Sequence, residues 1–192
     1  MDREPDMIIV YLIGVAGVGK STAVKELIND WSLRMEAPKP FAHRHYDTPH
    51  GRGIVLGKDV EPFGGTDTLS WTAINHVGDF FNACAQRNVQ IIIGEGDRFA
   101  NGRFFDEASA HGTLLLFSLE APDDVTEDRR QVRATMFNTP LQNATWIAGR
   151  KTKTTTLAQR YGAFPIDATQ PTSSVVQTIN KRIKQCPYKD HA

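Results

Sequence analysis

A glycine-rich segment near the start of this 192-residue chain constrains its fold more than any other feature. The segment reads Gly14-Val15-Ala16-Gly17-Val18-Gly19-Lys20-Ser21. In the spacing G-x-x-x-x-G-K-S, glycines let successive backbone N–H groups turn inward around phosphate oxygens. Residues 7–13 before it are apolar and β-prone, and residues 19–31 after it place apolar side chains on one helix face. This order predicts a buried strand, a phosphate-binding loop and a helix whose positive end faces the phosphates.

The loop predicts the donor half of a nucleotide site. Lys20 is expected to reach the β- and γ-phosphates of a nucleoside triphosphate, and the hydroxyl of Ser21 is expected to ligate Mg²⁺. ATP is the expected donor, because no motif specific for guanine is visible and ATP is the commoner donor. The predicted cofactor-binding residues are Gly14, Val15, Ala16, Gly17, Val18, Gly19, Lys20, Ser21, Thr22, Arg129 and Arg133.

Strand and helix patterns alternate along the rest of the chain. Short apolar runs predict strands at 53–56, 89–93, 113–119 and 164–166. Helical spacing predicts helices at 69–86, 102–110, 122–137, 142–160 and 172–185. The proline-containing residues 32–50 are predicted to be mainly loop. The alternation predicts an α/β fold with a parallel sheet covered on both faces, in a single domain spanning residues 1–192.

A second candidate site follows the predicted strand at 89–93. Ligands of open parallel sheets bind beyond the carboxyl ends of the strands. Glu95 and Asp97 lie there, and either carboxylate could orient Mg²⁺ or accept a proton from an attacking hydroxyl. Asp97 is predicted to be a metal ligand together with Ser21. Arg98 is predicted to bind a phosphate of the acceptor.

The charges of the chain are unevenly divided, although they sum to zero. Residues 1–128 hold 11 Lys and Arg against 20 Asp and Glu, whereas residues 129–192 hold 11 against 2. Residues 129–166 contain seven basic side chains and no acidic one. Such a block indicates either a phosphate-binding lid, at about residues 126–160, or a nucleic-acid contact. In a lid, Arg150 would stabilise charge on the transferred phosphoryl group, and closure would exclude water.

Taken in order, these motifs resemble those of small P-loop kinases of the nucleoside and nucleotide kinase group. Residues 61–66, Glu-Pro-Phe-Gly-Gly-Thr, are similar to the E-P-G-G-T segment of thymidylate kinases, with Phe63 as an insertion. Residues 97–99 resemble the D-R-aromatic motif of that family, and residues 164–169 resemble its closing strand and adenine-side loop. The resemblance implies a P-loop NTPase three-layer sandwich, with a five-stranded parallel sheet in the order 2-3-1-4-5 and a helical lid. Val60 stands where the family has arginine.

The same resemblance implies phosphoryl transfer from ATP to a nucleotide-type acceptor, with Mg²⁺ as cofactor. Residues 64–70 and 149–153 are similar to phage-encoded kinases, some of which phosphorylate 5-hydroxymethyluracil within DNA. The acceptor is therefore either a (deoxy)nucleoside monophosphate or a 5-hydroxymethylpyrimidine in phage DNA. The residues expected at the acceptor are Arg44, Gly65, Thr66, Asp67, Arg98, Lys151 and Lys153. The residues expected in catalysis are Lys20, Asp67, Glu95, Asp97 and Arg150, and the choice of base among the three carboxylates is open.

A phosphate-binding loop also fits a protein of another class, a regulatory ATPase or GTPase that switches partners without a phosphoryl acceptor. Two weaker patterns have ordinary explanations. His43, His45 and Asp47 alternate and could hold a metal, although the proline-rich context favours a plain loop. Trp71 and the pair Phe80–Phe81 could stack on a base, although helical spacing favours core packing of the phenylalanines.

Composition favours a cytoplasmic protein, in the host cytoplasm if the chain is phage-encoded. No run approaches the ~20 apolar residues that span a bilayer, so no membrane partner is expected. Cys84 and Cys186 have no metal or redox spacing, which indicates reduced thiols. The oligomeric state is open, with a homodimer as one alternative.

Overall fold

The computed structural model describes residues 7–49 and 51–186. The strands among them are β1 (Ile8–Ile13), β2 (Ser32–Ala37), β3 (His43–Thr48), β4 (Gly51–Leu56), β5 (Val89–Glu95), β6 (Thr113–Glu120) and β7 (Phe164–Asp167). The α-helices are α1 (Lys20–Leu27), α2 (Val77–Gln86), α3 (Gly102–His111), α4 (Asp123–Met136), α5 (Ala144–Tyr161) and α6 (Thr172–Gln185). No helix within the described ranges has the length and apolar character needed to cross a membrane. The predicted domain extent, 1–192, reaches beyond these ranges at both ends.

The strands form one seven-stranded sheet in the order β2-β3-β4-β5-β1-β6-β7. From β4 to β7 in that order, neighbouring strands run parallel. β2 and β3 are antiparallel additions beside β4. The α/β fold with a mainly parallel sheet is confirmed, whereas the prediction of five strands is wrong. Numbered among themselves, the parallel strands follow the order 2-3-1-4-5.

The prediction of loop for residues 32–50 is also wrong, because this segment supplies β2 and β3. Its prolines do not interrupt pairing, since Pro38 and Pro40 lie in the turn between the strands and Pro49 lies after β3. β3 reads His-Arg-His-Tyr-Asp-Thr and shows no apolar period. His43 and Arg44 are nevertheless buried, because β3 lies between two paired strands. Residue 50 lies outside the described residues.

Two predicted helices are shorter than expected. The helix predicted at 69–86 is α-helical only from Val77, because Trp71–His76 forms 3₁₀ turns. The helix predicted at 19–31 ends at Leu27, just before Asn29 and Asp30, whose side chains compete for backbone hydrogen bonds. The other predicted strands and helices agree with the structure within two residues at each end.

The side chains of β1 alternate between two apolar cores, one on each face of the sheet. One core contains Tyr11 and joins the sheet to α2 and α3. The other contains Leu12 and joins the sheet to α1 and α6. Both side chains are fully buried. The phosphate-binding loop therefore follows directly from the most deeply packed strand of the fold.

The hydroxyl of Tyr11 ties this buried strand to two loops at the carboxyl edge of the sheet. It donates a hydrogen bond to the carbonyl oxygen of Gly96 at 2.8 Å and lies 3.0 Å from Oγ1 of Thr66. Burial raises the pKa of Tyr11 well above its ordinary value, because the phenolate form would lose its hydration. The hydroxyl therefore stays a neutral donor.

Tyr11→Phe is expected to lower the free energy of unfolding by about 1–3 kcal/mol, because it leaves buried polar groups of Thr66 and Gly96 without this partner. Urea denaturation followed by tryptophan fluorescence measures the change. Tyr161→Phe is a matched control, because that hydroxyl is partly exposed and water can replace its bond to Asp106. Equal losses in the two variants would contradict the role assigned to Tyr11.

Candidate active site

A cleft of about 430 Å³ runs along the carboxyl edge of the parallel strands. The phosphate-binding loop and the start of α1 line one part of it. The turn at residues 61–64 and the end of β5 line another part, and α4 and α5 contribute side chains across the top. The predicted donor loop and all three predicted carboxylates therefore face the same cleft.

Glycine is required in the loop by its backbone and by its neighbours. Gly17 has a φ of +85°, and an added Cβ would lie 2.5 Å from the carbonyl oxygen of Thr126 on α4. Any side chain there would both strain the backbone and push α4 away. α1 begins at Lys20, so its free N-terminal N–H groups point at the loop.

Lys20 is folded back over the loop. Its Nζ donates hydrogen bonds to the carbonyl oxygens of Gly14 at 2.7 Å and Val15 at 3.1 Å. Burial lowers the pKa of Lys20, and the nearby carboxylate of Glu95 opposes that shift. The ammonium group therefore holds partners that phosphate oxygens could replace.

Ser21 and Glu95 form a pair of oxygen groups beside the loop. Ser21 Oγ donates a hydrogen bond to Glu95 Oε1 at 2.9 Å. Glu95 is only 5% exposed, and burial raises its pKa, although Lys20 and the bond from Ser21 oppose the shift. Hydroxyl and carboxylate oxygens are ligands suited to Mg²⁺, so this pair fits such an ion.

Gly65 lets the acceptor-side turn pack against Glu95. It has a φ of +62°, and an added Cβ would lie 2.3 Å from Oε1 of Glu95. The next residue, Thr66, is fully buried and bonded to Tyr11. Gly65 and Thr66, predicted at the acceptor, therefore shape the turn and position Glu95.

Asp97 lies just after β5 and binds two cations of α5. Its Oδ2 forms an ion pair with Arg150, and its Oδ1 accepts a hydrogen bond from Nζ of Lys153 at 2.9 Å. Both carboxylate oxygens are thus occupied by the predicted lid. Among the predicted metal ligands, Ser21 lies beside Glu95, and Asp97 is engaged elsewhere, so the geometry favours Glu95 over Asp97 for Mg²⁺.

Asp67 presents a free carboxylate oxygen to the cleft. Its Oδ1 accepts a hydrogen bond from the backbone N–H of Asp97 at 2.7 Å, which holds the two turns together. Within the described part of the chain, its Oδ2 accepts no hydrogen bond. Asp67 lines the cleft and is exposed, so this oxygen can meet a ligand.

Arginines of α4 brace the phosphate-binding loop. Arg129 donates to the carbonyl oxygens of Val18 at 3.2 Å and Ala168 at 3.1 Å. Arg130, which the sequence analysis did not select, donates to the carbonyl oxygen of Ala16 at 3.1 Å. Arg130 follows Arg129 directly and lies in the acid-free stretch of residues 129–166, which was the available sign of its role. Arg133 lines the cleft.

Three residues predicted at the acceptor lie away from the cleft lining. The guanidinium of Arg98 lies 3.5 Å from the ring centre of Trp71. Arg44 is buried in β3 and donates to the hydroxyl of Tyr46 at 2.9 Å. Lys151 binds the carboxylate of Asp123 on an exposed surface. Lys153, a fourth residue predicted at the acceptor, also lies away from the cleft lining and binds the carboxylate of Asp97.

Several residues of the cleft were missed from the sequence. On α5, Trp146 and Thr154 lie four residues to either side of Arg150, which was predicted, and all three line the cleft. That spacing places all three side chains on one helix face, so the sequence could have indicated that Trp146 and Thr154 lie near Arg150. Phe63, treated as an insertion, and Gln142, before α5, also line it and had no comparable signal.

The two weaker patterns take no part in the cleft. Among the described residues, no group of three His, Cys, Asp or Glu is arranged to hold a metal. Phe80 and Phe81 are buried in the core, as helical spacing favoured, and Trp71 is 74% exposed.

The family model described as P-loop Nucleotide Kinase3 matches residues 6–180. No curated protein matches the chain. The structure is similar to an unliganded sugar kinase from Janibacter sp. HTCC2649, at 16% identity over 95% of this chain and 97% of that chain, with a TM-score of 0.56. At that identity the likeness shows the fold alone.

Two further solved structures overlap more loosely. A deoxyadenosine kinase from M. mycoides with bound dATP has 12% identity over 92% of this chain and 100% of that chain, with a TM-score of 0.46. A shikimate kinase from Aquifex aeolicus vf5 has 15% identity over 92% of this chain and 96% of that chain, with a TM-score of 0.49. Neither likeness carries an argument about this site.

The raised pKa of Glu95 predicts a pH dependence of stability. Because the folded state binds the Glu95 proton more tightly than the unfolded state, wild type should lose stability relative to Glu95→Gln as pH rises from about 4.3, the ordinary Glu value, through the higher folded value. Below that window both states are protonated and the difference is constant. Urea unfolding of both proteins between about pH 4 and 7.5 measures this difference in the free energy of unfolding, because that range starts near the ordinary Glu pKa and extends well above it.

Glu127→Gln, which removes an exposed carboxylate of α4, is the control for the substitution itself. A wild-type advantage over Glu95→Gln that grows with pH would mean that the pKa of Glu95 is lowered, contrary to its burial.

Proposed function

Because the chain belongs to the P-loop nucleotide kinase 3 family, we propose that it transfers the γ-phosphoryl group of ATP to a (deoxy)nucleoside monophosphate, with Mg²⁺ as cofactor. Membership of that family makes the chain a phosphotransferase. The observation that carries the proposal is a single cleft, which joins the phosphate-binding loop at Lys20 to free carboxylate oxygen at Asp67 and to the α5 cation Arg150.

The donor triphosphate would bind over the loop. Its oxygens would take the place of the Gly14 and Val15 carbonyls as partners of Lys20 and would accept from the N-terminal N–H groups of α1. Arg129 joins the loop to Ala168 after β7. The nucleoside of ATP would lie toward Ala168 and Gln170, which line that end of the cleft.

Ser21 and Glu95 would hold Mg²⁺. Bound there, the ion would neutralise charge on the phosphates as the γ-phosphoryl group leaves. The chain prepares this place by packing Gly65 against Glu95, which keeps the carboxylate turned toward Ser21.

The acid-free block favours a compact anionic acceptor over a broad DNA contact. Arg129 and Arg130 bind the phosphate-binding loop. Arg150 and Lys153 bind Asp97 from above. Lys151 and Arg160 form ion pairs with exposed acidic residues, Asp123 and Asp106 respectively. The basic side chains are thus mostly turned inward, as expected of a lid that surrounds phosphate groups.

Asp97 would keep Arg150 and Lys153 over the site until the acceptor phosphate competes for them. Charge on the moving phosphoryl group is then neutralised by cations that are already in place, which lowers the cost of reorganisation. Asp67 would contact the acceptor through its free oxygen and would act as a base only where the acceptor is a hydroxyl.

ATP consumption is expected to depend on the acceptor. The purified chain with ATP and Mg²⁺ should turn over negligibly alone, and should form product when a nucleoside monophosphate is added. Radiolabelled ATP with a panel of monophosphates, plain DNA and DNA containing 5-hydroxymethyluracil tests this. Lys20→Ala should abolish every activity. ATP turnover that needs no acceptor would instead support the regulatory switch, and label found only in modified DNA would make a DNA base the acceptor.

Asp67→Asn distinguishes the two chemistries of acceptor. A monophosphate oxygen is already ionised at neutral pH and needs no base, so its kcat should fall less than about tenfold, whereas a hydroxyl acceptor should lose about 10²–10⁴-fold. Asparagine can still accept the bond from the N–H of Asp97, which preserves the turn. Asp30→Asn, in the exposed turn after α1, is the control. A loss of about 10²-fold or more with a monophosphate would refute the assignment of Asp67 as dispensable for it.

A further inference from the structure

Two aromatic side chains of the cleft are left uncovered. Phe63, on the acceptor-side turn, and Trp146, on α5, are each 40% exposed and both line the cleft. Exposed apolar side chains also occur elsewhere on the surface, but these two rings lie together in one polar cleft, where an exposed apolar patch often marks a ligand site. A flat ligand placed against either ring would remove its apolar face from water.

Each of these rings is backed by an arginine. The guanidinium carbon of Arg133 lies 4.8 Å from the ring centre of Phe63, and that of Arg150 lies 5.0 Å from the ring centre of Trp146. The distances are those of cation–π contacts, which hold the rings in place, and each ring still keeps 40% of its residue's surface exposed. The two rings are therefore fixed in position before a ligand binds.

An unsatisfied amide lies in the same cleft. Oε1 of Gln142 is buried and has no hydrogen-bond partner within the described residues. Gln142 lines the cleft and lies just before α5, four residues before Trp146. A buried amide oxygen without a donor is unfavourable, so this position is suited to a ligand that brings an N–H group.

We propose that Phe63, Trp146 and Gln142 form the subsite that recognises the base of the acceptor, an inference that rests on the proposed function. The ligand class is a planar heteroaromatic ring, stacked on the aromatic side chains, that donates an N–H to Oε1 of Gln142. The amide of Gln142 also offers an N–H₂ donor, so it matches a base edge with a donor beside an acceptor. A sugar hydroxyl could also donate to the amide oxygen, but a non-planar acceptor would not offer the rings a flat face to stack on.

Binding without ATP tests this subsite separately from phosphoryl transfer. The probes are the monophosphates of thymidine, deoxycytidine, deoxyadenosine and deoxyguanosine, and 2-deoxyribose 5-phosphate, which lacks a base. At least one monophosphate should quench tryptophan fluorescence and bind more tightly than the sugar phosphate. Trp146→Phe should remove most of the quenching.

Gln142→Leu should weaken the best monophosphate about tenfold, as loss of about 1.4 kcal/mol does, without changing the affinity for 2-deoxyribose 5-phosphate. Gln142→Met, which keeps an unbranched chain, provides a second test if the leucine variant does not fold. Leu141→Ala is the matched control, because Leu141 is 59% exposed beside Gln142 and does not line the cleft. It should bind all probes as wild type does.

The proposal is overturned if no monophosphate binds more tightly than 2-deoxyribose 5-phosphate, or if the Gln142 variants keep wild-type affinity for the best one. Binding that depends on Gln142 but never leads to phosphorylation would refute the proposal that a monophosphate is the acceptor and leave the subsite standing. Phosphorylation of a monophosphate with an unchanged KM in the Gln142 variants would refute the subsite and leave the proposed function standing.

Discussion

The hydrogen bonds of the buried Tyr11 hydroxyl are the constraint on which the rest of the site depends. They join the central strand to the turn at Thr66 and to the chain at Gly96. Through the first, Gly65 is set against the carboxylate of Glu95, and through the second, the N–H of Asp97 meets Asp67. A polar group inside an apolar core therefore helps to place Glu95, Asp97 and Asp67, the three carboxylates predicted to act in the cleft. The phosphate-binding loop leaves the same strand two residues later, so donor and acceptor halves share one support.

Charge is the second organising element. The chain separates an acidic first part from a basic last part, and folding brings the two into contact over the cleft. Asp97 meets Arg150 and Lys153, and the loop carbonyls meet Arg129 and Arg130. Each of these cations is partly desolvated and held by an acceptor that a phosphate oxygen can match. The charged groups of such a site are already in position before ligands bind, so little free energy is needed to reorient them during the reaction.

The sequence predicted those parts whose signal is local. The strand, loop and helix around Lys20 follow from the spacing of the glycines and the period of the apolar residues. The order of the parallel strands follows from the resemblance to small P-loop kinases. β2 and β3 could not be predicted, because β3 is buried by its neighbours although its side chains are polar. The partners of Asp97 were also hidden, since they depend on how α5 crosses the sheet. Gln142 and Phe63 gave no periodic signal, because they lie outside regular structure.

The two added strands have a consequence for how the molecule behaves among its neighbours. Without them the parallel sheet would end at β4, whose Ile54 and Leu56 are almost fully buried. With them it ends at β2, where an irregularity between Leu33 and Met35 interrupts the row of backbone donors and acceptors. A bulged outer strand is a poor template for pairing with another chain. The antiparallel extension thus ends this side of the sheet in a strand that is less suited to pairing with another molecule than an uncovered β4 would be.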